Sequence, residues 1–237
     1  MAPYETAAEL YDAIYSFKDY DEEAGYVHAI IEAHKHSAGT ALLDIGCGTG
    51  GHLAFLKQHY TVEGLDLSGA MLAVARKRYP DVTFHHGDMT DFDLGKTYDI
   101  VISLFSAIGY AKTRERLFHT LQAIARHTAS GGVVIVEPWL TPDRFIPHHT
   151  GANFVDHPDL KVARMNTSEL TDEAWVVHFQ YLVARDGMVQ HFEEQHEMGL
   201  FTDADYRDAF RAAGLTVSHD PKGPTGRGLY IGTKAAP

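Results

Sequence analysis

Apolar residues recur at helical spacing near the start of the chain. Leu10, Ile14 and Phe17 form one set, and Tyr26, Ile30 and Ile31 form a second after Asp19, so two helices are predicted before the first strand. Residues 41–45 (ALLDI) are a short, mostly apolar run, as expected of a strand buried on both faces. Glycines 46, 48, 50 and 51 follow, and then helical sequence around Leu53 and Leu56. The second strand is predicted at 61–66, and Ser68 stands where an N-cap would start a helix carrying Met71, Leu72 and Ala75. Pro80 ends that helix. Strands are predicted at 82–86 and 98–103, and a long amphipathic helix carries Leu117, Leu121 and Ile124. Gly131 and Gly132 are expected to close it before a fifth strand at 132–137.

Strand and helix alternate over this stretch, which predicts an α/β fold: a parallel, Rossmann-like sheet with helices on both faces. The rhythm then breaks. Pro138, Pro142, Pro147 and Pro158 punctuate a segment with little periodicity, and 161–197 reads as strands without intervening helices. Helical sequence returns at 202–213, with Gly214 as a C-cap, and strands are predicted at 215–219 and 229–233. The expected organisation is residues 1–137 as N-terminal helices and core, 138–197 as an antiparallel insertion, and 198–237 completing the main sheet.

The 20 Lys and Arg against 32 Asp and Glu give a formal charge of −12, which argues against broad contact with nucleic-acid backbone. It leaves room for a small nucleotide-bearing ligand, which needs only a few local cations. The single cysteine rules out an intrachain disulfide and a thiolate cluster. The start MAPYETAAELYDAIY lacks the basic residues and apolar run of a secretion signal, and no run of 18 apolar residues occurs. A soluble, cytoplasmic chain without membrane or nucleic-acid partners is expected.

The chemistry concentrates in Leu43-Asp44-Ile45-Gly46-Cys47-Gly48-Thr49-Gly50. The glycines fall between a strand and a helix, where the backbone must turn tightly and admit a ligand. Asp44, just before them, suits a cation more than a phosphate. Asp66 ends the second strand, where a carboxylate can accept both hydroxyls of a ribose, and Asp88 follows the third, where it can accept from an adenine amino group while Met89 packs on the ring. All three lie at the ligand-binding edge of an open α/β sheet. No G-K-[ST] follows the glycines, so a P-loop is excluded, and the third glycine comes one position early for a nicotinamide-binding loop. A ligand with ribose, adenine and positive charge but no phosphate fits best, which describes S-adenosylmethionine.

LLDIGCGTG, VEGLDLS, HHGDM and GGVVIVEPW resemble the class I S-adenosylmethionine-dependent methyltransferases. A finer resemblance, to the N-methyltransferases of dTDP-linked amino sugars in macrolide biosynthesis, is carried by AELYDAIY, MLAVARKRYPD, HHGDMTDFDLG, FSAIGY, HFEEQHEMGLFTDADYRDAFRAAGL and GPTGRGLYIG. It implies a dimethylated amine as product, a dTDP-amino sugar as substrate and a homodimer as assembly. It thins out between Leu140 and Asn166, in the region expected to shape the sugar site. It also implies that Gly46, Cys47 and Gly48 meet the cofactor beside Asp44, that Leu67, Met71 and Phe105 join Asp66, Asp88 and Met89 around it, and that Tyr11 and Tyr15 close over it as a lid, with Tyr4 toward the substrate.

Among acceptor-side candidates, Tyr110 in Ser106-Ala107-Ile108-Gly109-Tyr110 is expected to orient the amine, since the resembling family places Tyr or His there. A neutral phenol is a poor base near neutral pH, so positioning is its expected role. Glu137 is a candidate for neutralising a developing ammonium, with structural support as the alternative. Arg227, flanked by glycines before the last strand, suits bidentate binding of diphosphate oxygens, with Arg144 and Arg164 as further candidates. The 16 histidines include the pairs His85-His86 and His148-His149, His34 with His36, and His191 with His196, yet none forms H-E-x-x-H, and no metal is expected. Methylation of another small metabolite, and a non-catalytic cofactor-binding module, remain open alternatives at this level.

Overall fold

The computed structural model describes residues 4–146, 148–171 and 174–236, so Pro147 of the proline-rich stretch lies outside the described residues. The N-terminal segment forms a short 3₁₀ turn at Ala8–Leu10, then helix α1 (Tyr11–Ile14) and helix α2 (Tyr20–His34). Asp19 caps α2 by accepting the Glu22 N–H at 3.0 Å. The core alternates β1 (Ala41–Ile45), α3 (Leu53–Leu56), β2 (Thr61–Asp66), α4 (Gly69–Arg78), β3 (Thr83–His86), β4 (Tyr98–Ser103), α5 (Arg114–Arg126) and β5 (Thr128–Val136). Ser68 caps α4 through the Met71 N–H, as the sequence predicts, and Thr113 caps α5 through the Arg116 N–H. An antiparallel block follows: β6 (Thr150–His157), β7 (Leu160–Leu170), β8 (Trp175–Arg185) and β9 (Met188–Met198). Helix α6 (Asp203–Ala212), started by a capping box between Thr202 and Asp205, leads to β10 (Leu215–Asp220) and β11 (Leu229–Lys234).

The central sheet has seven strands in the order β10-β11-β5-β4-β1-β2-β3. Strands β1 to β5 pair in parallel, and β11 lies antiparallel to β5. The order reverses between β1 and β4, so the loops leaving those two strands diverge and open a crevice, the place where such sheets bind ligands. Leu42, Leu43, Ile45, Ile100, Val101, Ile102 and Val133 to Val136 are fully buried, because helices cover both faces.

Two details depart from the sequence reading. Helix α5 stops at Arg126 with His127 as its cap, and β5 already begins at Thr128, so Gly131 and Gly132 do not end the helix. Gly131, at φ 76°, sits in a bulge where the β4–β5 register shifts. Its carbonyl accepts the His36 and Ser37 N–H groups at 2.8 and 2.9 Å, an approach that a Cβ only 3.0 Å from the Ser37 nitrogen would obstruct. The second departure is β6, in a stretch read as lacking periodicity. It is an edge strand, and its outward side carries the exposed Phe154 beside polar neighbours, which erases the alternation.

The second sheet has the order β6-β7-β8-β9 and two unlike faces. Its inner face carries Val155, Val162, Val177, Phe179, Tyr181 and Val183, which pack with Ala7, Leu10 and Ile14 of the N-terminal segment. That layer stands over the crevice of the main sheet.

Candidate active site

The crevice continues into a cavity of about 500 Å³, bounded by three parts of the chain. The floor is the edge of the central sheet, with Gly46, Gly48, Asp66, Asp88 and Met89. The N-terminal Tyr4, Tyr11 and Tyr15 form one wall. The inner face of the second sheet forms the roof, with Arg164, Trp175, Val177, Phe179 and His196. Leu67, Met71, Phe105, Tyr110, Arg144 and Arg227 line it as well, so most of the predicted site residues share one space.

Gly46 and Gly48 turn the chain with φ 72° and 54°, and a Cβ on Gly46 would fall 2.5 Å from that of Ala107, so the loop needs glycine there for conformation and for space. Asp66 accepts the Gly48 N–H and the Ser68 N–H, each at 2.8 Å, which fixes its carboxylate at the end of β2. Burial nevertheless raises its pKa, because those N–H groups only partly offset the loss of water.

Asp44 lies behind the main cavity, 2% exposed, on a recess of about 30 Å³ that shares Tyr11, Gly46, Gly48, Leu104 and Phe105 with it. Cys47 also faces that recess, and burial pushes its thiol well up, which makes it inert apolar lining. Asp44 has no hydrogen-bond partner among the described residues, and burial together with the Asp66 charge pushes it up to about 8. A buried carboxylate without a partner is costly, and a ligand ammonium is the group that would relieve it. The recess is about the volume of one small polar group. The residues therefore fit S-adenosylmethionine: Asp44 for its ammonium, Asp66 for its ribose, and Leu67, Met71 and Met89 as apolar walls for its purine.

Asp88 is more heavily engaged than the sequence suggested. Its Oδ1 accepts the Thr90 N–H at 2.9 Å and the Thr90 hydroxyl at 2.8 Å, and Arg116 donates to Oδ2 at 3.0 Å. Burial alone would raise this carboxyl, but those donors outweigh it and hold its pKa below the usual range. Arg116 was not singled out from sequence; its place in the first turn of α5, opposite the loop after β3, only exists once the sheet is assembled.

Glu137 does not line the cavity. It is fully buried, accepting the Phe105 N–H at 2.6 Å and the Thr225 hydroxyl, so it braces the loop after β4 instead of facing an ammonium. Of the arginines, Arg164 is 5% exposed and donates to the Tyr15 hydroxyl at 3.0 Å and to Asn153 Oδ1 at 2.6 Å, with its guanidinium over the Tyr15 and Phe179 rings. Arg227 stands between Phe105 and Trp139, 5.3 and 5.2 Å from the ring centroids, and donates to Ser106 Oγ at 3.0 Å. Arg144 is exposed at the cavity rim.

Tyr110 hydrogen-bonds His196 Nδ1 at 2.9 Å, and burial raises its pKa well above the ordinary phenol value, so it stays protonated. Sequence reasoning considered His196 only as a metal ligand. The signal it passed over is the inward set Phe192, Glu194, His196 and Met198 on β9, where two adjacent polar residues are flanked by apolar ones. Among the described residues no group of three or more His, Cys, Asp or Glu is arranged to hold a metal. None of their helices is long and apolar enough to cross a membrane.

Residues 42–132 match the family described as a methyltransferase domain. The chain is 44% identical over 233 residues to a Streptomyces fradiae protein named as a dTDP-3-amino-3,6-dideoxy-α-D-glucopyranose N,N-dimethyltransferase, covering 97% of this chain and 91% of that one. The crystal structure of Streptomyces venezuelae DesVI superposes with a TM-score of 0.90 at 40% identity, covering 96% of this chain and 98% of that one. The SAM-bound structure of CalS10, an amino pentose methyltransferase, superposes with a TM-score of 0.85 at 37% identity, covering 95% and 97%.

Proposed function

The chain belongs to the S-adenosylmethionine-dependent methyltransferases, within the group of the amino-sugar N,N-dimethyltransferases, and on that premise we propose that it methylates the amino group of a dTDP-linked amino sugar. The observation that carries this reading is the sharing of one cavity by the anionic set Asp66 and Asp88 and the cationic set Arg144, Arg164 and Arg227. In a chain of net charge −12, three arginines turned toward one space create a local site for an anionic substrate such as a nucleotide diphosphate.

When bound, S-adenosylmethionine supplies an electrophilic sulfonium methyl group. Asp44 and Asp66 would hold its amino-acid and ribose ends, with Asp88 and Met89 at the purine. Arg227 and Arg164 grip the diphosphate, assisted by Arg144. Trp139, Trp175 and Phe179 exclude water from the acceptor side, which leaves the amine poorly solvated and its lone pair free. Tyr110 orients that amine through its hydroxyl. Glu137 contributes indirectly, by holding the Phe105 backbone. Tyr4, Tyr11 and Tyr15 cover the pocket, with Asp12 fastening this cover to Thr49 Oγ1 at 2.8 Å. Residues 138–197 serve as the part that closes over the substrate.

A homodimer in the cytoplasm completes the proposal. The outer face of the second sheet supports the assembly, since Phe154, Met165, Leu182 and Val189 are all more than half exposed on it. The test of function is mass spectrometry of dTDP-amino sugars incubated with enzyme and S-adenosylmethionine. Two successive methyl additions to the amine, with one S-adenosylhomocysteine released for each, are expected. A cofactor-bound enzyme that leaves every such sugar unchanged would exclude the proposal.

A further inference from the structure

Tyr110 lies at the end of a buried polar chain that the positioning role leaves unused. Its hydroxyl is 2.9 Å from His196 Nδ1, and His196 Nε2 is 3.4 Å from Glu194 Oε2. His196 is 2% exposed. Glu194 is itself fixed, because its Oε1 accepts the backbone N–H groups of Thr6 and Ala7, each at 3.0 Å. The Tyr4 and Phe179 rings pack edgewise on the imidazole, 4.4 and 5.0 Å between centroids, and hold its plane toward Tyr110. A carboxylate, an imidazole and a hydroxyl thus form a line from the N-terminal segment to the cavity.

We propose that His196, oriented by Glu194, accepts through Tyr110 the proton that the substrate ammonium must lose before each methylation. The proposal rests on the amine-methylating function above. An N–H proton of the ammonium passes to the Tyr110 oxygen as the Tyr110 O–H proton passes to His196 Nδ1. The amine nitrogen keeps the electron pair of the broken N–H bond, Tyr110 ends unchanged, and His196 becomes an imidazolium beside the Glu194 carboxylate. Water takes the proton from the imidazolium between turnovers. The starting tautomer places the imidazole proton on Nε2, facing Glu194, and leaves Nδ1 as acceptor.

The surroundings agree with this direction of transfer. Burial alone would raise the Glu194 carboxyl, but His196 and the Ala7 and Thr6 N–H groups outweigh it and hold its pKa low, so it stays an anion able to stabilise an imidazolium. Burial keeps Tyr110 a neutral phenol, and an oxygen that already carries its proton cannot store a second, so Tyr110 serves only to pass the proton on. The other titratable groups facing this line are Tyr4, Tyr11 and Tyr15 from the N-terminal segment, Asp66 from β2, Arg164 from β7 and Tyr181 from β8.

The test is the pH profile of methyl transfer by full-length His196→Asn with dTDP-3-amino-3,6-dideoxyglucose. Such an amine titrates near ~8, so it is mostly ammonium near pH ~7 and neutral by pH ~9.5. His196→Asn should lose about 100-fold in kcat near pH 7 and regain most of it by pH ~9.5, with both KM values within about twofold of wild type. Glu194→Gln keeps an oxygen for Thr6 and Ala7 but not the anion, and it should show the same recovery with a smaller loss, which covers the case of a poorly folded His196→Asn. A defect equal at both pH values, or none, overturns the relay. Wild-type enzyme inert toward every dTDP-amino sugar fails the function itself and is told apart by that control.

Discussion

Glu137 accepts the backbone N–H of Phe105 through Oε2 at 2.6 Å, and this contact holds a turn the chain would not otherwise keep. Phe105 and Ser106 both adopt left-handed backbone, with φ of 48° and 64°, a conformation that costs ~1–2 kcal/mol for each residue with a Cβ. Ser106 repays part of it by donating to the Pro138 carbonyl at 2.8 Å and accepting from Arg227 at 3.0 Å. The turn places Phe105 against the Lys18 ammonium and aims Tyr110 into the cavity, so a strained loop positions both ligand-facing residues.

Replacing Glu137 should therefore damage stability before chemistry. Glu137→Ala strands the buried Phe105 N–H and removes the partner of Thr225, a loss of ~2–4 kcal/mol read as a lower urea midpoint. Glu137→Gln keeps one acceptor and should lose less than half of that. If Glu137→Ala unfolds at the wild-type midpoint while kcat collapses, the residue acts on the substrate directly.

Asp44 gives a pH-dependent prediction with a definite sign. Its folded pKa of about 8 lies above the ordinary carboxylate value near ~3.9, so the ligand-free fold binds the proton more tightly than the unfolded chain. The stability it contributes is full below pH ~4 and is lost as pH rises toward 8. Asp44→Asn lacks this loss, so its melting temperature without cofactor should exceed wild type by a margin that widens from pH ~5 to pH ~8. The same variant should bind S-adenosylmethionine about 10–100-fold more weakly, having no charge for the ammonium. Calorimetry in buffers of different ionisation heat should show proton release on binding near pH 7 in wild type only. Equal melting profiles, or unchanged affinity, would contradict this account.

The cofactor half of the site was legible because its signals are local. Asp44, the glycine loop, Asp66 and Asp88 each lie at or just beyond the end of a strand that the apolar pattern marks, and parallel strands bring their ends to one edge. The acceptor half was harder. Arg164 and His196 lie on strands of the insertion, and their inward facing follows from the pairing of β7, β8 and β9. Arg116 meets Asp88 across 28 positions of sequence, through no motif. Glu137 was misplaced for a related reason: the end of β5 usually faces the ligand, but here the turn at Phe105 intercepts the carboxylate.

Arg227 should separate the two ligands. Its guanidinium is held by Ser106 and two aromatic rings, which pre-orients the fork for phosphate oxygens. Arg227→Ala should raise KM for the sugar nucleotide about 10–100-fold, the equivalent of a charge-assisted pair of ~1.5–3 kcal/mol, with S-adenosylmethionine affinity within about twofold. Arg227→Lys keeps the charge but not the fork and should fall between. Equal weakening of both ligands in a binding assay would remove Arg227 from the diphosphate site.

The outer face of the second sheet carries the last prediction. Phe154 pairs across to Ala163 and Ala163 to Leu182, so a large, a small and a large residue align in one row, and Val189 stands opposite Ala184 on the neighbouring strand. Phe154 is 70% exposed, Leu182 51% and Val189 72%. Such a ridged apolar face suits the matching face of a second copy, since two sheets pack with side chains interdigitating at ~10 Å. The Lys161–Asp156 ion pair and the His191–Gln180 hydrogen bond near this row would form its polar rim. Wild-type protein should sediment as a dimer at micromolar concentration. Leu182→Arg should sediment as a monomer, because two copies of the new charge would meet in or beside the contact, while S-adenosylmethionine affinity is retained. A wild-type monomer, or a Leu182→Arg dimer of unchanged stability, would show that this face does not join the subunits.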